Sequence, residues 1–418
     1  MRTESAIGFS LVSINSRSGL ESNEALGQTK SMQEVTQRIR ILRIIARMNV
    51  GGPAVQVTGI TRNLDSSMFE QLLVTGYCED DEIDYLDSHG ISLPSLIKVE
   101  GLGRSLNFKS DIQAFLKIRS IIKNFKPDII HTHTAKAGLL GRLASITVWR
   151  DSFRVHTFHG HLLSGYFSSS KTRIVKFVER FLSIFTDTII GVGKKVVDDL
   201  VHAKVAKIEK FIVINPGLDV EIKHDPISVR NEIGIDQNVF VVSWVGRFAD
   251  IKSPERVLEI ARACKEENIQ INFIMVGGGS LFEPIQRLSN SEDLPISFLG
   301  WRNDPEDLIA ASDLLLMTSK NEGTPISAIQ AQILGIPVLS TEVGSVNEIV
   351  IDKKTGFVVP YDPIVFAELI LQLSQDKLLW SSQSNEARLQ SEKRFTLKRL
   401  VDDHEDLYKM LMLNHQAN

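Results

Sequence analysis

One rhythm constrains this chain more than any other feature, and it occurs twice. From about residue 39, apolar runs of strand length alternate with segments whose apolar residues recur every three or four positions. RILRIIARM (40–48), QLLVTGYC (71–78), PDIIHTH (127–133), FRVHTF (153–158), DTIIGVG (187–193) and KFIVINPG (210–217) read as buried strands. DIQAFLKIRSIIKNF (111–125), KAGLLGRLASITVW (136–149) and KTRIVKFVERFLSIF (171–185) read as the helices between them. Strand, helix, strand in repetition dictates a parallel sheet covered on both faces. The rhythm breaks in the Gly/Pro/Asp-containing stretch NPGLDVEIKHDP (215–226) and then restarts. VFVVSWVG (239–246), INFIMVGGG (271–279), PISFLG (295–300), DLLLMTS (313–319), IPVLST (336–341) and GFVVP (356–360) are the second set of strands.

The fold class expected is therefore α/β, with two doubly wound, Rossmann-like domains facing across a cleft. The 418 residues exceed the roughly 250–300 at which a single core stops growing. The boundaries expected are a disordered extension over 1–38, a first domain over 39–218 and a second over 219–395. A C-terminal helix over 396–418 is expected to pack back towards the first domain. In doubly wound sheets ligands sit beyond the carboxyl ends of the strands, so the cleft is the natural site.

Composition narrows the setting. Two cysteines, Cys78 and Cys264, argue against a disulfide framework and for a reducing cytoplasm. Neither an apolar run of spanning length nor a basic start followed by an apolar core is visible, so a membrane span and a cleaved signal are not expected. Charge is unevenly spread. Residues 39–218 hold 24 basic and 17 acidic side chains, whereas the rest of the chain beyond them holds 19 basic and 30 acidic. A basic first domain suggests an anionic partner, such as a membrane surface or a phosphorylated substrate. Lys171, Arg173, Lys176 and Arg180 are the cluster expected to dock on the inner face of the plasma membrane.

Chemistry concentrates in NEGTPISAIQAQILG (321–335). Thr324 is placed to cap a helix, Pro325 to open it and Gly335 to end it. Such a start points free N–H groups and partial positive charge at the cleft, suiting a phosphate or a sugar hydroxyl. Glu322 lies just before it, and Gln330 leans towards it from within the helix. Alone, these read equally as an exposed loop acid and a surface amide. In VGRFADIKS (245–253), however, Arg247 follows a strand and Lys252 precedes a helix that Ser253 is expected to cap. Two cations on such a loop can neutralise a diphosphate. The glycines of VGGGS (276–280) lack the Lys-Ser/Thr of an ATP-binding loop. In the first domain, Gly51 and Gly52 allow close backbone approach to a ligand, or mark a plain tight turn. His131, His133, His159 and His161 stand at strand ends, one of the first pair being a candidate structural histidine. Lys136 and Arg142 read as cleft cations or solvated surface.

Taken together, GR-x4-K, EGTP-x4-(E/Q)A and G-x-PV resemble the glycosyltransferases of family 4, retaining enzymes of the GT-B fold. RMNVGGPAVQV (47–57), HTHTAKAGLLGRLA (131–144), TFHGHLLSGYFSSSKTR (157–173) and VINPGLD (213–219) extend the resemblance across the first half. It implies that Arg247 and Lys252 hold the diphosphate of a nucleotide-sugar, with uridine diphosphate the common choice. Glu322 would meet hydroxyls of the transferred sugar, and Gly323, Thr324, Pro325 and Ile326 would bind sugar and distal phosphate through the backbone. His159 would lie near the reacting sugar. The second carboxylate of the E-x7-E pattern falls on Gln330, which keeps an acceptor for the ribose but loses a charge; Gln330→Glu is expected to be tolerated. No Asp-x-Asp motif flanks a strand and the protein supplies its own cations, so no metal is expected; neither a cofactor nor nucleic acid is expected, and the acceptor expected is a glycan or lipid-linked one in cell-surface polysaccharide or glycolipid assembly. Other readings are a nucleotide-sugar epimerase, a non-catalytic nucleotide-sugar-binding protein, and a metal-dependent hydrolase built on the two His-x-His pairs.

Overall fold

A computed structural model describes residues 38–416 apart from 94, 106, 149–150, 161–168 and 268–269. The expected extension over 1–38 lies outside the described residues except for Arg38, as do His161 and the side chain of Lys171. The first sheet contains β1 (Ile39–Ile45), β2 (Phe69–Thr75), β3 (Leu96–Lys98), β4 (Ile129–His133), β5 (Phe153–Phe158), β6 (Thr188–Gly191) and β7 (Phe211–Val213), in the order β3-β2-β1-β4-β5-β6-β7. The second contains β8 (Phe240–Val245), β9 (Ile271–Val276), β10 (Ile296–Gly300), β11 (Leu314–Met317), β12 (Val338–Thr341) and β13 (Gly356–Val359), in the order β10-β9-β8-β11-β12-β13. All pairings between these strands are parallel. Two doubly wound α/β sheets are thus present. The strand the apolar runs did not announce is β3, whose three residues at the sheet edge are too short to register.

Burial on both faces explains why the strands read as unbroken apolar runs. In β1, Leu42 and Ile44 face Ala114, Ile118 and Ile122 of the helix Phe108–Phe125. Ile41 faces the other way, into a cluster with Ile60, Leu400, Tyr408 and Leu411. The last three belong to the helix Leu397–Gln416, which closes the chain against the first sheet. Each such side chain withdrawn from water contributes about 1.5–3 kcal/mol.

The chain crosses between the sheets at two places, and the crossings lie side by side. Leu218 N–H donates to Phe395 O at 2.9 Å, and Arg399 Nη2 donates to Asn215 O at 2.9 Å and Pro216 O at 2.7 Å. Gly217 permits this approach, because a Cβ there would stand 2.2 Å from Thr396 O.

Both sheets reverse winding direction at one point, between β1 and β4 and between β8 and β11. A crevice opens at each such point.

Candidate active site

Arg247 and Lys252 follow β8, and Glu322 follows β11, so all three flank the reversal point of the second sheet. Lys252 closes a short 3₁₀ turn, Asp250–Lys252, and its Nζ donates to Glu322 Oε1 at 2.5 Å. Ser319 Oγ donates to the same oxygen at 2.6 Å. Glu322 is 8% exposed, and no described residue bonds its Oε2. Arg247 is exposed, and among the described residues its guanidinium has neither hydrogen-bond partner nor counter-ion. Ser253 does not cap the following helix, Glu255–Glu266. It sits in the left-handed region with φ 50°, and its hydroxyl donates backwards to Asp250 O at 3.1 Å, leaving Pro254 at the cap position.

The helix after β11 spans Ile326–Leu334 and ends at Gly335 with φ 74°. Its start differs from expectation. Pro325, extended at φ −72° and ψ 121°, occupies the cap position, and no side chain satisfies the first turn. Thr324 is one residue too early to reach those N–H groups; its hydroxyl instead donates to Val192 O of the first domain at 2.8 Å. Among the described residues, the N–H groups of that first turn are left without a side-chain acceptor. Gln330, 7% exposed, donates from Nε2 to Glu306 Oε1 at 2.5 Å across to the helix Pro305–Ala310. No spacing rule in the sequence links these two positions.

In the first domain, Gly51 and Gly52 follow β1 and begin the helix Gly52–Asn63. A Cβ on Gly52 would lie 2.9 Å from Ile326 Cγ1, so the glycine admits the second domain's helix start. His159 follows β5, and its Nε2 pairs with His133 Nδ1 at 2.9 Å. Burial holds the His159 imidazole down to about 4 and holds His133 well below its usual range. Both rings are therefore neutral near pH 7. One donates to the other, so whichever tautomer is present, one donor and one acceptor remain, at His133 Nε2 and His159 Nδ1. His131 has no such freedom, because its nitrogens bond Tyr408 Oη and Thr157 Oγ1, each at 2.7 Å.

Several candidate roles change here. Arg142 is neither cleft cation nor solvated; it is buried against Glu179 at 2.7 Å. Lys136 is held at 2.6 Å by Asp111 and bonds Ser105 O. The glycines 277–279 are packing glycines, since a Cβ on Gly277 would meet Gly246 O at 2.0 Å and one on Gly278 would meet Trp301 Nε1 at 2.2 Å. Among the described residues, His131, His133 and His159 belong to no grouping that could hold an ion, and His161 lies outside them. The grouping that could hold an ion among the described residues is His224, Asp304 and Asp307, where Arg302 grips Asp304 at 2.8 and 2.7 Å, and His224 reaches Asp307 at 2.7 Å.

The two strand-end surfaces touch. Gly323 and Gly160 meet backbone to backbone, a Cβ on Gly323 falling 2.7 Å from Gly160 Cα and 2.3 Å from His159 O. Glu348 of the second domain accepts from Lys194 N at 2.7 Å and Lys195 N at 2.8 Å, capping the helix Lys194–His202 of the first. Neither Glu348 nor Ser319 carried a motif signal.

Residues 50–222 match the Glycosyltransferase Family 4 model, and residues 227–391 match glycosyl transferases group 1. The chain is 28% identical over 349 residues, 79% of its length and 87% of the relative's, to the UDP-Gal:alpha-D-GlcNAc-diphosphoundecaprenol alpha-1,3-galactosyltransferase of Escherichia coli. It is 22% identical over 319 residues to the capsular polysaccharide biosynthesis glycosyltransferase CapM of Staphylococcus aureus, covering 74% of this chain and 83% of CapM. Among solved structures, HepE of Anabaena in complex with UDP and glucose superposes with a TM-score of 0.74 at 20% identity, covering 89% of this chain and all (100%) of HepE. Sucrose-phosphate synthase from Thermosynechococcus elongatus superposes at 0.77 with 18% identity, covering 90% and 100%. Carrying a Glycosyltransferase Family 4 domain in its first half and a glycosyl transferases group 1 domain in its second, the chain is a glycosyltransferase of the GT-B fold.

Proposed function

We propose that the protein is a retaining, metal-independent hexosyltransferase. It moves a sugar from a nucleotide-sugar, taken to be a UDP-sugar, to a glycan or lipid-linked acceptor in cell-surface polysaccharide or glycolipid assembly. The observation that carries this reading is the 2.5 Å contact of Lys252 with Glu322, which joins two strand-end loops beside an uncapped helix start while Arg247 remains unpaired. The UDP-sugar and the lipid-linked acceptor follow the named substrate of the Escherichia coli relative.

The roles follow from charge. The leaving diphosphate gathers negative charge as the acceptor oxygen attacks from the same face. Arg247, Lys252 and the N–H groups at Gly323, Thr324 and Ile326 stabilise that charge without rearranging. Pro325 has no N–H and contributes shape alone. Glu322, fixed through Oε1, offers Oε2 to the sugar hydroxyls. Gln330 lies at the ribose. The neutral His159 and His133 pair keeps one donor and one acceptor, both buried and without a partner among the described residues, which a sugar hydroxyl reaching them would suit better than a phosphate. Gly51 and Gly52 keep the opposite wall of the donor site low.

Incubation with a panel of UDP-sugars and a lipid-linked acceptor tests the reading. UDP should be released equally with and without EDTA, and the anomeric configuration of the product should match that of the donor. Loss of activity in EDTA, or an inverted product, overturns it.

Membrane contact belongs to the same proposal. On the helix Ser169–Ile184, Ile174, Phe177, Phe181 and Ile184 are exposed on one face, with Arg173 also exposed. Such an apolar stripe beside basic groups suits the surface of an anionic bilayer. Arg180 is not available for it, because its guanidinium donates to Ala203 O and Lys204 O. No described helix is long and apolar enough to cross a membrane. Flotation with anionic vesicles should fall when Phe177 and Phe181 become Ser, and unchanged flotation refutes the contact.

A further inference from the structure

Gln330 stands where the resemblance places a carboxylate, yet a carboxylate is present at that spot. The helices Pro305–Ala310 and Ile326–Leu334 pack together, and Glu306 Oε1 accepts the Gln330 amide at 2.5 Å. Glu306 is partly buried and has no cationic partner within ion-pair distance among the described residues. Its carboxyl lies within electrostatic reach of Tyr85 and His89 of the first domain and of Lys223. We infer that Glu306, held in place by Gln330, accepts the two hydroxyls of the donor's ribose, so that the neighbouring helix provides the negative charge missing at position 330.

This rests on the nucleotide-sugar reading above and deepens it. A vicinal diol donates two O–H groups, and the two oxygens of one carboxylate match that pair; a bond to a charged acceptor is stronger than one to an amide. Gln330 then acts as a positioning residue: one N–H fixes Glu306, while its own carbonyl oxygen stays available beside it. Burial raises the Glu306 carboxyl above its usual range, which is the cost of enclosing an acid without a counter-ion. Two hydroxyl donors from a bound ribose relieve that cost. The arrangement also changes the outlook for Gln330→Glu. By itself it sets two carboxylates in contact, so it is not a neutral replacement.

Titration calorimetry with UDP and with 2′,3′-dideoxy-UDP tests the assignment. The unmodified protein should prefer UDP by roughly 10- to 100-fold, the worth of hydrogen bonds to a charged group. Glu306→Ala and the isosteric Glu306→Gln should both bind UDP as weakly as the unmodified protein binds the dideoxy compound, with that compound's own affinity unchanged. The double exchange Glu306→Gln with Gln330→Glu should restore the preference for the diol, an outcome that a merely structural tie between the helices does not produce. Full diol discrimination retained in Glu306→Gln, in protein with native circular dichroism, overturns the inference alone. Absence of any Arg247-dependent UDP binding in the unmodified protein overturns the donor reading itself.

Discussion

At the cleft, the strand ends of the first sheet present neutral imidazoles, while those of the second present fixed charges. His133 and His159 are held uncharged by burial. In the second domain Arg247 is unpaired among the described residues, and Lys252 and Glu322 are locked together. Under the function proposed above, the same architecture would serve two ligand chemistries. A neutral wall can hydrogen-bond a sugar or acceptor hydroxyl without competing for the phosphates, and a charged wall can hold a leaving diphosphate. The difference lies in the loops, since both sheets share strand order and winding.

The largest expected effect is on the charged wall. Arg247→Ala or Glu322→Ala should lower sugar transfer by about 100- to 1000-fold, the usual loss when one preorganised charge contact at a reacting centre is removed. UDP release measures it, and near-normal turnover in either variant breaks the contrast between the walls. On the neutral wall, His159→Ala should lower kcat roughly 10- to 100-fold while leaving UDP affinity within about twofold. A large loss of UDP affinity would instead move His159 to the diphosphate.

A pH series sharpens the same contrast. The imidazoles of His131, His133, His156, His159 and His404 all lie below their ordinary value of 6.5 in the folded chain, with His159 near 4 and His404 near 3. Below pH 6.5 the unfolded chain takes up protons that the folded one refuses, so stability is full above that pH and falls as pH drops towards 4. Tm should decline steadily between pH 7 and pH 5, and a flat profile would mean that these rings are hydrated. The smallest effect concerns the seam. Glu348→Ala removes the carboxylate at the Lys194–His202 helix start and should cost about 1 kcal/mol in urea unfolding, as the loss of a helix cap does.

Much of the fold was legible because a parallel strand buried on both faces has to be an apolar run, whatever its neighbours are. The runs around Ile41–Ile45 and Leu314–Met317 marked strands without any knowledge of pairing. β3 escaped, since an edge strand of three residues needs few apolar side chains. The residues at the candidate site were legible for a related reason: strand ends followed by Gly, Pro and isolated charges stand out against the apolar runs.

Partners were not legible. Thr324 looked like a cap, yet its hydroxyl reaches Val192, 132 residues away in sequence. His131 and His133 look alike in the text, and only Tyr408, 277 residues further on, makes the first of them structural. Gln330 and Glu306 are joined across 24 residues by the packing of two helices. Sequence by itself determined most of the strands and the loops that carry the candidate residues, because backbone periodicity and local turn chemistry depend on near neighbours. Tertiary structure alone decided which polar side chain meets which. A buried donor or acceptor takes whatever partner the fold brings within about 3 Å, and that distance is set by packing between elements far apart in the chain.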